Sequence, residues 1–226
     1  MWCVAALDKE YIACMEDVLA TYERPLSAKE PVVCIDERPI QLLKNINATS
    51  RMARPGKPRA KDYEYKRCGT ANAFCAIEPK RGRHFIRITK NRKSPKFAEM
   101  MREIGRAYPQ ATKIHIVMDN LNTHKAKSLI EHLGPKRGAN LWNRFDVHYT
   151  PKHGSWLNQA ETEISMFSRE CLGKDRIATR TTLSKRATAW ERRVNEERRK
   201  INWRFTRKKA RAKFGYSTRK FTVGQD

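Results

Sequence analysis

The chain has 226 residues, 39% of them apolar and 32% charged, with a formal net charge of +24 and a pI near 10.2. That length supports one compact domain with a core, and self-repulsion of this size is tolerable when a polyanion, first of all nucleic acid, is the working partner. No apolar run approaches the ~20 residues of a bilayer-crossing helix, "MWCVAAL" is too short for a signal peptide, and six scattered cysteines without a C-x-x-C pair exclude a disulfide framework; a cytoplasmic protein with reduced thiols and no membrane contact is expected.

In chain order, "YIACMEDVLATY" (11–22) predicts a helix with Ile12, Met15, Leu19 and Tyr22 on one side. "PVVCIDE" (31–37) predicts a short buried strand ending in acids. Residues 51 to 67 carry seven Lys/Arg, two prolines and a glycine, which predicts an exposed basic loop or ribbon. "ANAFCAIEP" (71–79) and "RHFIRITK" (83–90), joined by "KRG", read as a hairpin. "SPKFAEMMREIGRAY" (94–108) predicts a helix capped by Ser94, with Pro95 in its first turn and a stripe of Phe97, Met100, Met101 and Ile104. "KIHIVMDN" then predicts a strand, with a helix near 126–133 and a strand at 145–151 behind it. "LNQAETEISMFSRECL" and "TTLSKRATAWERRVNEERRK" are helical, and a basic tail closes the chain. From Gly173 on, 18 Lys/Arg stand against five acids, and Trp190, Trp203, Phe205, Phe214, Tyr216 and Phe221 are threaded among them. This is both a solvated helical face with a packed return segment and a surface able to meet phosphate. The order predicts an α/β fold: a mixed sheet flanked by helices.

Two runs share one grammar. "VVCIDE" and "IHIVMDN" rise through buried apolar positions and end at Asp36 and Asp119. If these strands lie parallel and adjacent, the two carboxylates sit ~5 Å apart. Such a pair repels, and one acid holds a proton unless cations intervene. Carboxylate oxygens suit Mg²⁺ or Mn²⁺, and a pair of such ions activates water and stabilises the leaving oxygen in phosphodiester cleavage. Each Asp also has a plain structural reading, as a strand end or a turn former. For a third ligand the helix "SWLNQAETEI" offers Glu161 and Glu163. At roughly 100° per residue both flank the apolar stripe of Ala160, Ile164, Phe167 and Cys171, on opposite sides. Asn158 and Glu161 also read as a capping box, and Glu163 suits the helix dipole. Helical geometry leaves the choice open.

"VVCIDERPIQL", "DYEYKRCGTANAFCAI", "HIVMDNLNTHK", "HYTPKHGSWLNQAE" and "INWRFTRKKARAKFGY" together resemble the catalytic half of mariner-like bacterial insertion-sequence transposases of the DDE superfamily. The resemblance runs from about residue 11 to 216. It implies a ribonuclease-H-like fold with a mixed five-stranded sheet, a helix and linker over 1–30, a catalytic core over 31–172, and a basic C-terminal helix and tail over 173–226. It also implies two Mg²⁺ (or Mn²⁺) ions held by two Asp and a third acid. The first two fall on Asp36 and Asp119. The third falls on Glu161, which follows the Leu-Asn of "WLNQAE", with Glu37 and Glu163 as understudies. The implied activity is DNA strand cleavage at transposon ends and strand transfer into target DNA, by a homodimer in the synaptic complex. The basic loop (Arg51, Arg54, Lys57, Arg59), Lys152 and His153 at the site mouth, and Arg204, Arg207 and Lys208 in the tail are the expected DNA contacts. The implied location is the bacterial cytoplasm, at the nucleoid. Two departures stand out. No helix-turn-helix region precedes the catalytic part, which points to a partner frame upstream or a truncated copy, and Arg38 follows the acids where a small polar residue is expected. The other readings are a non-catalytic DNA-binding remnant or regulator, and a ribonuclease or junction nuclease on the same fold. His115, His124, His132, His148 and His153 form no zinc spacing with the cysteines; His124 reads as a turn residue, and Trp156 as a packing anchor.

Overall fold

A computed structural model describes residues 7–46 and 63–217. The expected loop residues Arg51, Arg54, Lys57 and Arg59 lie outside the described residues. The chain opens with helix α1 (Lys9–Glu23), whose first turn is closed by Asp8 accepting from the Tyr11 amide at 2.7 Å. Ile12, Met15, Leu19 and Tyr22 are all buried, together with Tyr11 and Val18.

Strands β1 (Val32–Asn45), β2 (Tyr65–Glu78) and β3 (Arg83–Thr89) follow, then helix α2 (Ser94–Ala107), strand β4 (Ile114–Met118), helices α3 (Ala126–Leu133) and α4 (Pro135–Trp142), and strand β5 (Phe145–Tyr149). The sheet order is β3-β2-β1-β4-β5, with β1–β2 and β2–β3 antiparallel and β1–β4 and β4–β5 parallel. The expected mixed five-stranded sheet is therefore present. A 3₁₀ turn (Ser155–Leu157), helix α5 (Ala160–Phe167), a π turn (Ser168–Leu172) and helices α6 (Arg180–Glu196) and α7 (Arg207–Phe214) complete the described chain.

Three local expectations are corrected. β1 does not end at Asp36-Glu37. It continues to Asn45 as a long ribbon with β2, which itself begins at Tyr65 inside the stretch expected to be loop. β4 pairs only with Val32–Cys34, and farther along that edge Leu43 donates to the Ile177 carbonyl at 2.9 Å; among the described residues no strand pairs with β1 at Pro39 on that side, so its missing N–H costs no ladder bond there. In α2 the N-cap is Lys93; Ser94 is the first helical residue and makes no cap bond. The helix expected over 157–172 is broken into a 3₁₀ turn, a short α-helix and a π turn.

Period-two alternation divides the strands between two faces. Val33 and Ile35 of β1, with Ile114, Ile116 and Met118 of β4, pack under Phe97, Met100, Met101 and Ile104 of α2 and Leu129 of α3. On the other face Cys34, Ile77 and Val117 meet Met15, Val18 and Leu19 of α1 and Ala160 of α5. Toward β3, Ala73, Cys75 and Ile86 are covered by Phe167 and by Leu183, Ala187, Trp190 and Val194 of α6. The hairpin between β2 and β3 turns through Gly82 at φ +69°, where a Cβ would stand 2.5 Å from the Arg198 backbone; only glycine fits.

Candidate functional site: an acidic cluster at the centre of the sheet

Cys34 of β1 pairs with Val117 of β4, and two more steps of that parallel register bring Asp36 level with Asp119, just past the strand end. Adjacent strands are ~4.8 Å apart. Cys34 and Val117 both face α1 and α5, so alternation turns Asp36 and Asp119 to that same side. Glu37, one residue on, must face the opposite way.

The third acid is brought up by the turn before α5. Asn158 is 1% exposed; its Nδ2 donates to the Ile35 carbonyl at 2.9 Å and its Oδ1 accepts from the Ala160 amide at 3.1 Å. Tyr22 of α1 donates its hydroxyl to the Leu157 carbonyl at 2.8 Å and accepts from the Gln159 amide at 3.3 Å. The start of α5 is thereby tied to β1 one residue before Asp36. The expected capping box does not form: the helix's N-cap is Gln159, without a side-chain cap bond, and Asn158 Oδ1 accepts from Ala160 rather than from the Glu161 amide.

Glu161 and Glu163, which the helical wheel leaves equivalent, have different surroundings. Glu161 is exposed, and its charge is the strongest carboxylate influence on Asp36. Glu163 is fully buried, with both oxygens 2.9 and 3.0 Å from His84 Nδ1. The His84 Nε2–H donates to the Arg199 carbonyl at 2.9 Å. Glu163 is thus engaged in a buried contact joining α5, β3 and the segment after α6. Glu37 is also drawn away: 2% exposed, it lies 2.7 Å from His124 Nε2.

Burial pushes the Asp36 carboxyl up to about 7, with the charges of Glu161, Glu37 and Asp119 adding to the rise. A single N–H, that of Glu37 at 2.7 Å, opposes it. Asp119 behaves in the opposite way. Its Oδ1 lies 2.6 Å from His124 Nδ1 and accepts from the Leu121 amide at 3.3 Å, and it is held below the usual carboxylate range. His124 is fully buried between two carboxylates, one on each ring nitrogen. Burial alone would lower its pKa, but the hydrogen bonds to Asp119 and Glu37 prevail and raise it to about 10. An imidazole facing an acceptor on each side is an imidazolium. Phe97 stacks on it with centroids 4.5 Å apart, and Tyr149 donates to its carbonyl at 2.8 Å. His124 is therefore no ordinary turn histidine. Sequence carries a hint of this only in its position five residues after Asp119.

The three acids share one electrostatic field without closing into a tight cage. Among the described residues, one group brings three ligand-type atoms within 4.8 Å of one another, and it is His115, Asp146 and His148. Like charges splay apart without a counter-ion, and one Asp119 oxygen is taken by His124. The donor set itself, carboxylate oxygens beside an acid that gives up its proton only near pH 7, suits a hard divalent cation.

A cleft of about 700 Å³ opens beside Asp119, lined also by Tyr11, Tyr149, Lys152 and His153. Lys152 and His153 are exposed at its rim. Arg204 and Lys208 are exposed on the C-terminal segment, whereas Arg207 is engaged by Glu23 of α1 at 2.8 Å. Trp156 packs edge-on to Phe205, with centroids 5.4 Å apart, consistent with an anchor. Arg38 is exposed.

Replacing Asn158 with Ala is expected to leave the Ile35 carbonyl buried without its donor, at a cost of about 1–3 kcal/mol. Chemical denaturation measures that loss.

The fold is that of several solved transposase complexes. The "Mos1 mariner paired end complex with Mn" matches with a TM-score of 0.57 at 14% identity, covering 88% of this chain and 60% of that one. The "pre-cleavage Mos1 transpososome" gives 0.56 at 15%, over 88% and 63%. The "Mos1 transposase paired-end complex with left transposon end" gives 0.55 at 13%, over 88% and 62%. The chain thus spans less than two thirds of the length of those proteins, and the sheet with its flanking helices is ribonuclease-H-like. No curated protein matched the sequence. The family model of the DDE superfamily endonucleases matches residues 31–184, from the start of β1 into α6 and across all three acids, so the chain belongs to the DDE superfamily endonuclease family.

Proposed function

We propose that the chain is the catalytic domain of a mariner-like transposase, cleaving DNA at transposon ends and joining the freed ends to target DNA. The observation that supports this reading is that Asp36 and Asp119 follow adjacent parallel strands on the sheet face covered by α5, the helix that carries Glu161, the strongest carboxylate influence on Asp36. These three acids would hold two Mg²⁺ or Mn²⁺ ions. When bound, the ions supply the positive charge that activates water and steadies the leaving oxygen.

The chain's own groups do the rest. His124 holds one oxygen of Asp119 and keeps that carboxylate charged. Asp36 surrenders its proton as cation density builds around it. Asn158 sets the height of Glu161 above β1. Lys152 and His153 at the cleft rim, Arg204 and Lys208 on the C-terminal segment, and Arg51, Arg54, Lys57 and Arg59 take backbone phosphates of end and target DNA. Arg207 serves α7 docking instead, through Glu23. Synapsis of two ends calls for a homodimer, and end recognition for a helix-turn-helix partner.

The test is cleavage of duplex DNA bearing the element's inverted repeats, with and without Mg²⁺ or Mn²⁺. Metal-dependent nicking at the repeat boundary is expected, abolished in Asp119→Asn and in Glu161→Gln but retained in Glu163→Gln proteins that fold. Nicking that persists in Asp119→Asn rejects the assignment. Salt-sensitive DNA binding without cleavage makes the protein a non-catalytic end binder, and preference for an RNA–DNA hybrid makes it a ribonuclease of the same fold.

A further inference from the structure

A second cluster of ligand-type side chains lies on the outer two strands, apart from the acids. His115 of β4 is paired in register with Asp146 of β5, and His148 lies two residues farther along the same strand. Alternation puts all three on one face of the β4–β5 pair, the face covered by α1. His115 Nδ1 is 3.0 Å from His148 Nε2 and 3.3 Å from Asp146 Oδ2, and His148 Nε2 is 3.9 Å from that same oxygen. Ligands about 2.0–2.1 Å from a tetrahedral Zn²⁺ stand about 3.3–3.4 Å from one another. The three observed edges scatter around that value.

The surroundings fit as well. His148 Nδ1–H donates to Asp17 of α1 at 2.8 Å, which leaves the Nε2 lone pair facing the cluster. A carboxylate behind a ligating imidazole is the usual outer partner of a histidine bound to zinc. His115 is 4% exposed, and burial together with the nearby Arg24 charge lowers its pKa. Arg24 is itself paired with Glu30. Asp146 is 53% exposed and leaves a solvent-facing path for an ion and a fourth, water ligand. Two imidazoles and one carboxylate are a borderline donor set, preferring Zn²⁺ to the Mg²⁺ that suits an all-carboxylate site.

We propose that His115, Asp146 and His148 form a zinc site, separate from the acidic cluster, that pins α1 to the β4–β5 edge. His115 is the second residue of β4, which ends at Met118 just before Asp119, so the bound ion would brace the strand that presents that acid, ~13 Å away along the backbone. Without metal the same groups make a simple relay, His115 to His148 to Asp17, and the two states are distinguishable.

The experiment is titration of the chelator-treated full chain with Co²⁺, followed by displacement with Zn²⁺. One equivalent of Co²⁺ should produce the visible ligand-field bands of a tetrahedral site, and Zn²⁺ should quench them. A hundredfold excess of Zn²⁺ over its dissociation constant should raise Tm by about 5–10 °C. His148→Ala should lose both signals. Asp146→Asn, changed at an exposed position that folding tolerates, should weaken Co²⁺ and Zn²⁺ binding at least tenfold. Absence of the Co²⁺ bands in the parent chain overturns the proposal. So does a response that survives both substitutions, or one that Asp119→Asn abolishes, because the ion then belongs to the acidic cluster.

Discussion

Replacing His124 with Ala should cost about 3–5 kcal/mol of stability, because it leaves Glu37, 2% exposed, as a buried charge without its counter-ion. For a chain of this length that is a fall in Tm of about 10 °C or more. The loss should depend on pH. His124 titrates near 10 when folded and near 6.5 when unfolded. Its contribution is therefore complete below pH 6.5 and disappears as pH rises through 10. Asp119 runs the other way: its folded pKa is depressed, so its contribution is lost as pH falls through that value. The difference between parent and His124→Ala should be largest near neutral pH and shrink toward pH 10. Chemical denaturation at several pH values, in EDTA, measures it. The double variant Glu37→Leu/His124→Phe, which replaces the buried pair with apolar groups, should recover most of the stability but not the cleavage, since Asp119 would still lack its partner. Equal losses at pH 7 and pH 10 would show that His124 acts by packing on Phe97 alone.

How far the sequence reveals this arrangement can be judged residue by residue. Asp36 and Asp119 are legible because two apolar runs end alike, and runs that pair in parallel put their ends together. The helices that bury one regular stripe, α1 and α2, are legible for the same reason: the period is local. Glu161 is not separable from Glu163 on the helix alone. What separates them is His84, 79 residues from Glu163 in sequence and in hydrogen-bond contact with it. His124 is hidden likewise, its second carboxylate being 87 residues away. The full length of β1 is obscured because the apolar run ends in acids at Asp36-Glu37; Pro39 is tolerated beyond them because, among the described residues, no strand pairs with β1 there on that side. The His115–Asp146–His148 group escapes a search for zinc spacings because its members come from two strands and include no thiol.

Asp36→Asn should separate stability from activity. The Asp36 carboxyl rises from its ordinary 3.8 to about 7 on folding, chiefly through burial and then through Glu161. A folded pKa above the unfolded one means that the charged form is penalised in the native state. The penalty is absent below about pH 4, grows as pH rises, and is complete above about pH 7. The full shift would correspond to ~4 kcal/mol; water reaching the partly open site reduces this to about 1–2 kcal/mol. In EDTA at pH 8, Asp36→Asn should therefore be more stable than the parent by that amount, or about 3–6 °C in Tm, and at pH 4 the two should melt together. Adding Mn²⁺ should reverse the order, because the parent gains binding energy that the amide cannot match. Cleavage should fall by ~10³-fold or more, since a lost metal ligand removes several kcal/mol of transition-state stabilisation. An acid retained at the expense of native stability, in the one environment that a cation relieves, is what a site evolved for metal rather than for folding predicts. If the amide variant melts no higher than the parent at pH 8, or cleaves within tenfold of it, then Asp36 is an ordinary strand residue and the acidic cluster is not the site of the chemistry.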